Sequence, residues 1–509
     1  MVSRNVPSGD TFPLPRSLIT TRGAALAAGA AAFCLIAILN CGGYRYGIGD
    51  QAFYVPAVVQ HLNPNLFPRD RAMLHAQDRF MLYDDATAAA ARATGISVQT
   101  LFFSGYVIGM ALLYGGAVAL GRVMYTSWWA VSLLVTLLTL RHRITQTGAN
   151  TLEAYFQPRM MAFGLGAWAI AACLRGNAAV ALGLVAVAFA LHPTTALWFG
   201  IWMAVALAVN ERQWRRPLLG AGAVGAMVSL WAVIAGPLRG HLSRMDPLWA
   251  SAMAGKDYIF PSDWNASFWV VNFAYLPVAA AIYLLRRRRG VALPREVGLL
   301  AGAGALVCVF LMSWPLMVAG VALALQLQTS RVFWLLDLLA AVYIAWLLAE
   351  APRSPALRRS IVAAAIAVAI GRGVFVWRAE HAGNPIVRFT FPQDNWTDAM
   401  KWIAKTPADT HVLATPAHAW MYGTSVRVSG ERDVYLEEVK DLALALYSRE
   451  VAIEALQRIR DAQHFDALTP AQLQSLASRY DLDYLVVERD VDLPLAYRNQ
   501  QFRVYKLQP

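Results

Sequence analysis

Asp50 stands where a lone carboxylate could do chemistry. It lies in the stretch Tyr44-Arg45-Tyr46-Gly47-Ile48-Gly49-Asp50-Gln51, just after the apolar run from Gly23 to Cys41. A carboxylate so placed can accept a proton from an attacking hydroxyl, and Gly47 and Gly49 let the backbone turn sharply to present it. Cations recur beside later apolar runs: Arg159 in Thr151-Leu152-Glu153-Ala154-Tyr155-Phe156-Gln157-Pro158-Arg159, His192 before Pro193, and Arg331 after Gln326 and Gln328. Arginine and histidine can neutralise a phosphate leaving group. Arg45, Arg69, Asp70, Glu153 and Gln328 are candidates for supporting roles, and Arg69 has the reach to meet a phosphate.

Each residue also has a plainer reading. Asp50 could be a turn carboxylate paired with Arg45. Glu153 and Arg159 could be only a structural ion pair. His192 could satisfy helix-end groups, and Arg331 could snorkel to a membrane interface. The joint case is stronger than any single residue, because ionisable groups at membrane depth are costly and need a partner or a task.

The elements that must hold these residues are apolar. The 509-residue chain is 58% hydrophobic, which no soluble globular class matches, so it reads as a polytopic α-helical membrane protein with an appended domain. The net charge of +12 sits largely on arginines in short connectors between apolar runs, as membrane topology requires and nucleic-acid binding does not. Cys34, Cys41, Cys173 and Cys308 lie in or beside apolar runs without CxxC spacing, so neither a metal site nor a disulfide framework is expected.

Residues 1–22 read as a short cytoplasmic tail. Transmembrane segments are expected at 23–41, 97–120, 126–140, 156–174, 178–191, 194–209, 217–236, 266–285, 297–314, 331–349 and 361–377, about eleven spans in all; Pro315–Gln328 fits a span, a re-entrant piece or a loop. An inside N-terminus places Arg212-Arg215-Arg216 and Arg286-Arg287-Arg288-Arg289 on the cytoplasmic side, in accord with the positive-inside rule. Arg141-His142-Arg143 is the exception. The first outer loop, 42–96, is polar, and within it Ala52–Leu62 suits an amphipathic helix lying along the interface.

Residues 378–509 change character and read as a small α/β domain on the outer face. Helices are expected at Asn395–Lys405, over Glu437–Gln463 and after Thr469-Pro470, where Thr469 caps and Pro470 opens the helix. Strands are expected at His411–Thr415, Tyr484–Val487 and Phe502–Leu507. The domain carries no GxGxxG or GxxxxGK[ST] pattern, so nucleotide binding has no support.

Several stretches together resemble the GT-C superfamily of integral membrane glycosyltransferases. They are the first loop with Gly49-Asp50 and its following helix, LEAYFQPRMMAFGL, ALHPTTALWF, LQTSRVFWLLDLLAA, and MKWIAKTPADTHVLATP with YDLDYLVVERD in the trailing domain. The resemblance covers most of the chain as a pattern. It implies a polyprenyl-phosphate-linked sugar donor, a saccharide, lipid or protein acceptor at the outer face, and a catalytic aspartate in the first loop, matched by Asp50. The phosphate ligands would then be Arg159, His192 and Arg331. The expected location is a bacterial inner membrane, where the charge rule and about eleven spans put the N-terminus on the cytoplasmic side and the C-terminal domain on the periplasmic side. The first loop has no adjacent Asp-Glu pair and the trailing domain no WWDYG motif, so neither a divalent cation nor another cofactor is expected. A flippase of lipid-linked saccharides and a non-catalytic subunit of an envelope-polysaccharide assembly remain the alternatives. The flippase would favour internal repeats, and none is visible.

Overall fold

The computed structural model describes residues 16–78, 81–256 and 258–508, so most of the expected cytoplasmic tail lies outside the described residues. In chain order the helices are α1 (Arg16–Asn40), α2 (Gln51–Leu62), α3 (Arg71–Asp78), α4 (Tyr83–Thr94), α5 (Val98–Met124), α6 (Trp128–Leu138), α7 (Pro158–Leu174), α8 (Ala178–Leu191), α9 (Pro193–Asn210), α10 (Arg215–Ile234), α11 (Pro247–Ala252), α12 (Ala266–Arg288), α13 (Glu296–Val318), α14 (Ala322–Gln326), α15 (Val332–Ala349) and α16 (Pro355–Phe375). Each apolar run of the sequence forms a helix within a few residues of the expected bounds, because in a bilayer only a helix satisfies its own backbone.

Among the described residues, eight of the eleven expected segments are long and apolar enough by themselves to cross a membrane. The other three, α6, α7 and α8, have 11, 17 and 14 residues. At 1.5 Å per residue α6 reaches only roughly 16 Å, against about 30 Å of hydrocarbon. Pro315–Gln328 divides into the end of α13, a turn at Gly320 and the short α14. The helix α10 buries none of its side chains, whereas α15 is buried along most of its length and packs against α6, α12, α13 and α16.

The connectors separate onto the two ends of the bundle. At one end the arginine-rich turns are tied together. Arg286 Nη2 donates to Glu296 Oε1 at 2.8 Å and to the Met124 carbonyl at 3.1 Å, Arg295 pairs with Glu211 at 3.1 Å, and Glu350 accepts from the Thr126 backbone N–H at 3.1 Å. At the other end the loops 42–50, 235–265 and 319–331 meet the C-terminal residues, and the 141–157 loop meets the first of these loops.

The first loop is not merely polar. It folds into α2, α3 and α4, and α2 does not lie bare on an interface: Tyr54, Val55, Ala57 and Val58 are buried beneath α4 and the C-terminal chain. The apolar face that would suit a membrane surface is covered by protein instead. Tyr44–Arg45 (β1) pairs in parallel with Val387–Arg388 (β4), which fastens the start of the loop to the chain leaving α16. Between them in sequence, Arg143–Ile144 (β2) and Ala149–Asn150 (β3) form a small hairpin.

The C-terminal residues form helices α17 (Asn395–Ile403), α18 (His418–Tyr422), α19 (Val426–Ser429), α20 (Glu438–Leu444), α21 (Arg449–Asp461) and α22 (Pro470–Tyr480). The strands β5 (His411–Ala414), β6 (Asp433–Val434), β7 (Tyr484–Val487), β8 (Leu495–Arg498) and β9 (Arg503–Lys506) make one mixed sheet in the order β6-β5-β7-β9-β8. The three expected strands are present. The capping box at Thr469 is complete, with Gln472 returning the bond. The expected single helix over Glu437–Gln463 is instead two, α20 and α21. The break at Ala445–Ser448 sends two carbonyls outward: Ala445 accepts from Trp249 Nε1 at 2.8 Å and Leu446 from Gln326 Nε2 at 3.0 Å. Tertiary bonds to the membrane part thus replace about one helical turn of continuity.

Candidate active site

The turn before α2 is built for close approach. Gly47 and Gly49 have φ of +84° and +59°, a region that costs other residues steric strain. The Gly47 N–H donates to Gln51 Oε1 at 2.7 Å, and Gln51 Nε2 donates to the Phe156 carbonyl at 3.1 Å. A side chain at Gly49 would put its Cβ 2.3 Å from the Tyr155 ring. Together these bonds dock the turn onto the 149–157 loop and leave Asp50 at the mouth of α2. Its carboxylate does not cap that helix.

Asp50 meets Lys440 of α20 instead, Nζ to Oδ1 at 2.8 Å. Burial pushes the Asp50 carboxyl up, but Lys440, Arg159 and Arg331 outweigh burial and hold it down at about 2. The group is therefore ionised throughout the physiological range. Its partner is Lys440 and not Arg45. Arg45 donates its backbone N–H to the Ala154 carbonyl, and its guanidinium lies in the field of Arg388 and Arg141.

The three phosphate candidates lie within one electrostatic neighbourhood. Arg159 and Arg331 both act on Asp50, and the fields of Arg331, Arg159 and Asp50 all reach His192. Arg159 is placed by Pro158 at the start of α7. Its Nη2 donates to Glu153 Oε1 at 3.1 Å. His192 ends α8 and begins α9, and its Nδ1 accepts from the Thr195 N–H at 3.3 Å, so the helix-end role is real. Its other ring nitrogen is left for another task. Arg331 closes the short turn Thr329–Arg331, set by Gln328 at φ +48°. Buried Arg331 Nε and Gln328 Oε1 have no hydrogen-bond partner among the described residues. Arg331 has Tyr258, Tyr447 and Arg159 around it, which is not the setting of a side chain snorkelling to an interface.

Glu153 is engaged on every side. Oε1 accepts from Asn150 at 2.7 Å, Arg159 at 3.1 Å and Gln157 at 3.4 Å, and Oε2 accepts from Arg141 at 2.9 Å. Its role is to hold two arginines in place. This also accounts for the one arginine cluster at odds with the charge rule: Arg141 serves Glu153, and His142 pairs with Asp337 at 2.7 Å.

Arg69 and Asp70 do not join Asp50. Arg69 is drawn to Asp481, Asp433 and the Asp409 carbonyl. Asp70 accepts from Arg427 Nε at 2.6 Å, and Arg427 Nη1 donates to Asp441 at 2.6 Å, all of it buried. The reach of Arg69 that suited a phosphate is spent on the C-terminal sheet. Beside this junction lies a cavity of about 700 Å³, lined among others by Arg69, Asp70, Trp249, Asp441 and Tyr447. Tyr447 faces it and also lies in the field of Asp50, Arg159 and Arg331.

The sequence reading missed Lys440 and Lys256. Lys256, in the 235–265 loop, is held down at about 8 by burial first and by Lys440 next, against the pull of Asp50. Neither lies in a motif that sets it apart from ordinary surface lysines. Among the described residues no three His, Cys, Asp or Glu side chains gather as metal ligands.

No family model matches the chain, and no curated protein matches it. Among solved structures it is similar to the oligosaccharyltransferase of Archaeoglobus fulgidus in its apo form, at 12% identity and a TM-score of 0.47, over 91% of this chain and 69% of that one. The Archaeoglobus enzyme AglB in complex with an inhibitory peptide and a dolichol-phosphate gives 12% identity and a TM-score of 0.39, over 93% and 70%. The mycobacterial arabinofuranosyltransferase AftD gives 13% identity and 0.49, over 98% of this chain and 40% of that one. These neighbours are GT-C superfamily membrane glycosyltransferases. At such identities and scores the likeness assigns no residue of this chain a role.

Proposed function

We propose that the chain is a membrane glycosyltransferase that moves a sugar from a polyprenyl-phosphate donor to an acceptor hydroxyl. The observation that carries this reading is the ionised Asp50 beside a surplus of positive charge. Arg159, Arg331, Lys440 and Lys256 crowd a neighbourhood whose described carboxylates are Asp50, Glu153 and Glu438, and Glu153 is shared with Arg141. Uncompensated buried cations are costly, and a phosphate would balance them.

The chemistry then runs as follows. Asp50 accepts the proton of the acceptor hydroxyl. The hydroxyl oxygen bonds to the anomeric carbon as the bond from that carbon to the phosphate oxygen breaks. The electron pair leaves with the polyprenyl phosphate, whose charge Arg331, Arg159 and His192 stabilise. Orientation of the two reactants supplies the rest of the acceleration. In this reading all eleven helices cross the bacterial inner membrane, α6 to α8 sharing their depth with neighbouring helices. The N-terminus is then cytoplasmic and the Asp50 end with residues 378–509 is periplasmic.

The test is transfer from a polyprenyl-phosphate sugar by purified protein, with release of polyprenyl phosphate as the readout. Wild type should release it when acceptor is supplied as extracted envelope glycan. Asp50→Asn should fall by about 10²–10⁴-fold, the worth of a general base, while its melting transition shows that it still folds. Equal turnover by both would remove Asp50 from the chemistry. Transport without any glycosidic-bond cleavage would favour the flippase reading.

A further inference from the structure

The contact between Asp50 and Lys440 joins residues 390 positions apart. Lys440 sits on α20, and its neighbour Asp441 is gripped by Arg427, which also grips Asp70 of the first loop. Two consecutive residues of α20 thus hold two carboxylate partners that belong, directly or through Arg427, to the first loop. The ion cluster at Asp441 is almost wholly buried, while the Lys440 and Asp50 side chains keep 17% and 26% of their exposure. The cluster is the more buried of the two contacts, and Lys440 carries its charge on a flexible stem.

We propose that Lys440 is a donor-phosphate ligand which the resting enzyme parks on Asp50, so that an arriving phosphate takes the ammonium from the carboxylate and frees it for the acceptor. The proposal rests on the glycosyltransferase reading and adds to it a group from the C-terminal domain. A carboxylate bonded to an ammonium at 2.8 Å has one oxygen occupied, and so is poorly placed to receive a proton from a hydroxyl. A phosphate offers Lys440 more negative charge and more acceptor oxygens than Asp50 does. Lys256, in the field of both Lys440 and Asp50, supplies a second ammonium to the same anion. Freed of its partner, Asp50 becomes a stronger base at the moment the sugar is in place. Empty enzyme would therefore keep its base masked.

The experiment measures binding of undecaprenyl monophosphate to full-length protein in nanodiscs, with undecaprenol as the control lacking the phosphate. Lys440→Met should weaken phosphate-dependent binding by about 10–100-fold, the worth of a hydrogen bond to a charged group, while Lys440→Arg should restore most of it. Asp50→Asn leaves Lys440 unclaimed. It should tighten binding several-fold, and this gain should vanish when combined with Lys440→Met, the non-additivity expected of residues that act on one another. Melting temperatures report whether each variant folds, and Lys440→Gln serves if Met does not. Equal binding by wild type and a folded Lys440 variant, or an Asp50→Asn gain independent of Lys440, would overturn the proposal while leaving the donor reading intact. Wild type that binds the alcohol as well as the phosphate would overturn both.

Discussion

Asp70 and Arg427, 357 positions apart in sequence, meet at 2.6 Å in a fully buried ion pair. Arg427 continues to Asp441, so a single guanidinium welds the first loop to the helix that carries Lys440. Arginine suits this because its planar fork serves two carboxylates at once.

Breaking that weld should be expensive. Arg427→Met strands Asp70 and Asp441 as buried, unpaired carboxylates, a loss of about 3–5 kcal/mol for pairs of this kind. The melting temperature of the purified protein should drop sharply. Protease susceptibility should rise first in the C-terminal residues. A variant as stable as wild type would show that the cluster is dispensable.

Arg331 should discriminate charge from shape. Its Nε lacks a hydrogen-bonding partner among the described residues, and Asp50, which it influences, keeps its own partner Lys440. Arg331→Ala should weaken polyprenyl-phosphate binding with little effect on stability. Arg331→Lys should recover only part, because the bidentate fork is lost. The readout is the dissociation constant of the three proteins side by side. A destabilised Arg331→Ala with unchanged binding would make the residue structural.

Gly49 should tolerate no side chain. Its φ of +59° and the Tyr155 ring 2.3 Å from a built Cβ mean that alanine must shift the turn. Gly49→Ala should abolish most transfer, whereas Gly183→Ala, where a Cβ meets nothing within 4 Å, should be silent. Steady-state rates of the two variants decide it.

Glu437 gives a pH signature. It is buried, and Arg427 lies 3.8 Å from Oε2. Burial raises its carboxyl to about 7, with Asp441 adding to the rise and Arg427 opposing it. Between the ordinary value near 4.3 and 7 the folded chain binds a proton that the unfolded chain does not. This residue's contribution therefore favours the fold at low pH and is lost as pH rises through 7. Glu437→Gln removes that loss. The difference in melting temperature, variant minus wild type, should be larger at pH 8 than at pH 5.5. An identical difference at both values would contradict it.

The bundle was legible because apolar runs bounded by arginine have no other good structure in a bilayer. The Asp50 turn was legible for a local reason, two glycines and an acid after a span. What failed was long-range. Arg69 looks free from its neighbours in sequence, yet its partners Asp433 and Asp481 come more than 360 residues later. Lys440 sits in Glu437-Glu438-Val439-Lys440-Asp441, the composition of any solvated helix, and only the fold turns it toward Asp50. The break between α20 and α21 has no proline or glycine to announce it. The carbonyl acceptors it exposes answer Trp249 and Gln326, which local sequence cannot reveal.

The Asp70–Arg427 junction also sets an order of events during biosynthesis. The first loop leaves the ribosome long before its partner exists. At about 5–20 residues per second, the 357 positions between them correspond to roughly 20–70 seconds. Through that interval the membrane helices can insert and pack, but Asp70 has no counter-charge and Asp50 no lysine. A chain released early would carry Arg159 and Arg331 and still lack the anchor that brings Lys440 to Asp50. Completion of translation is in this sense the assembly step, and a quality-control protease meeting an unclaimed first loop would be reading an unfinished protein.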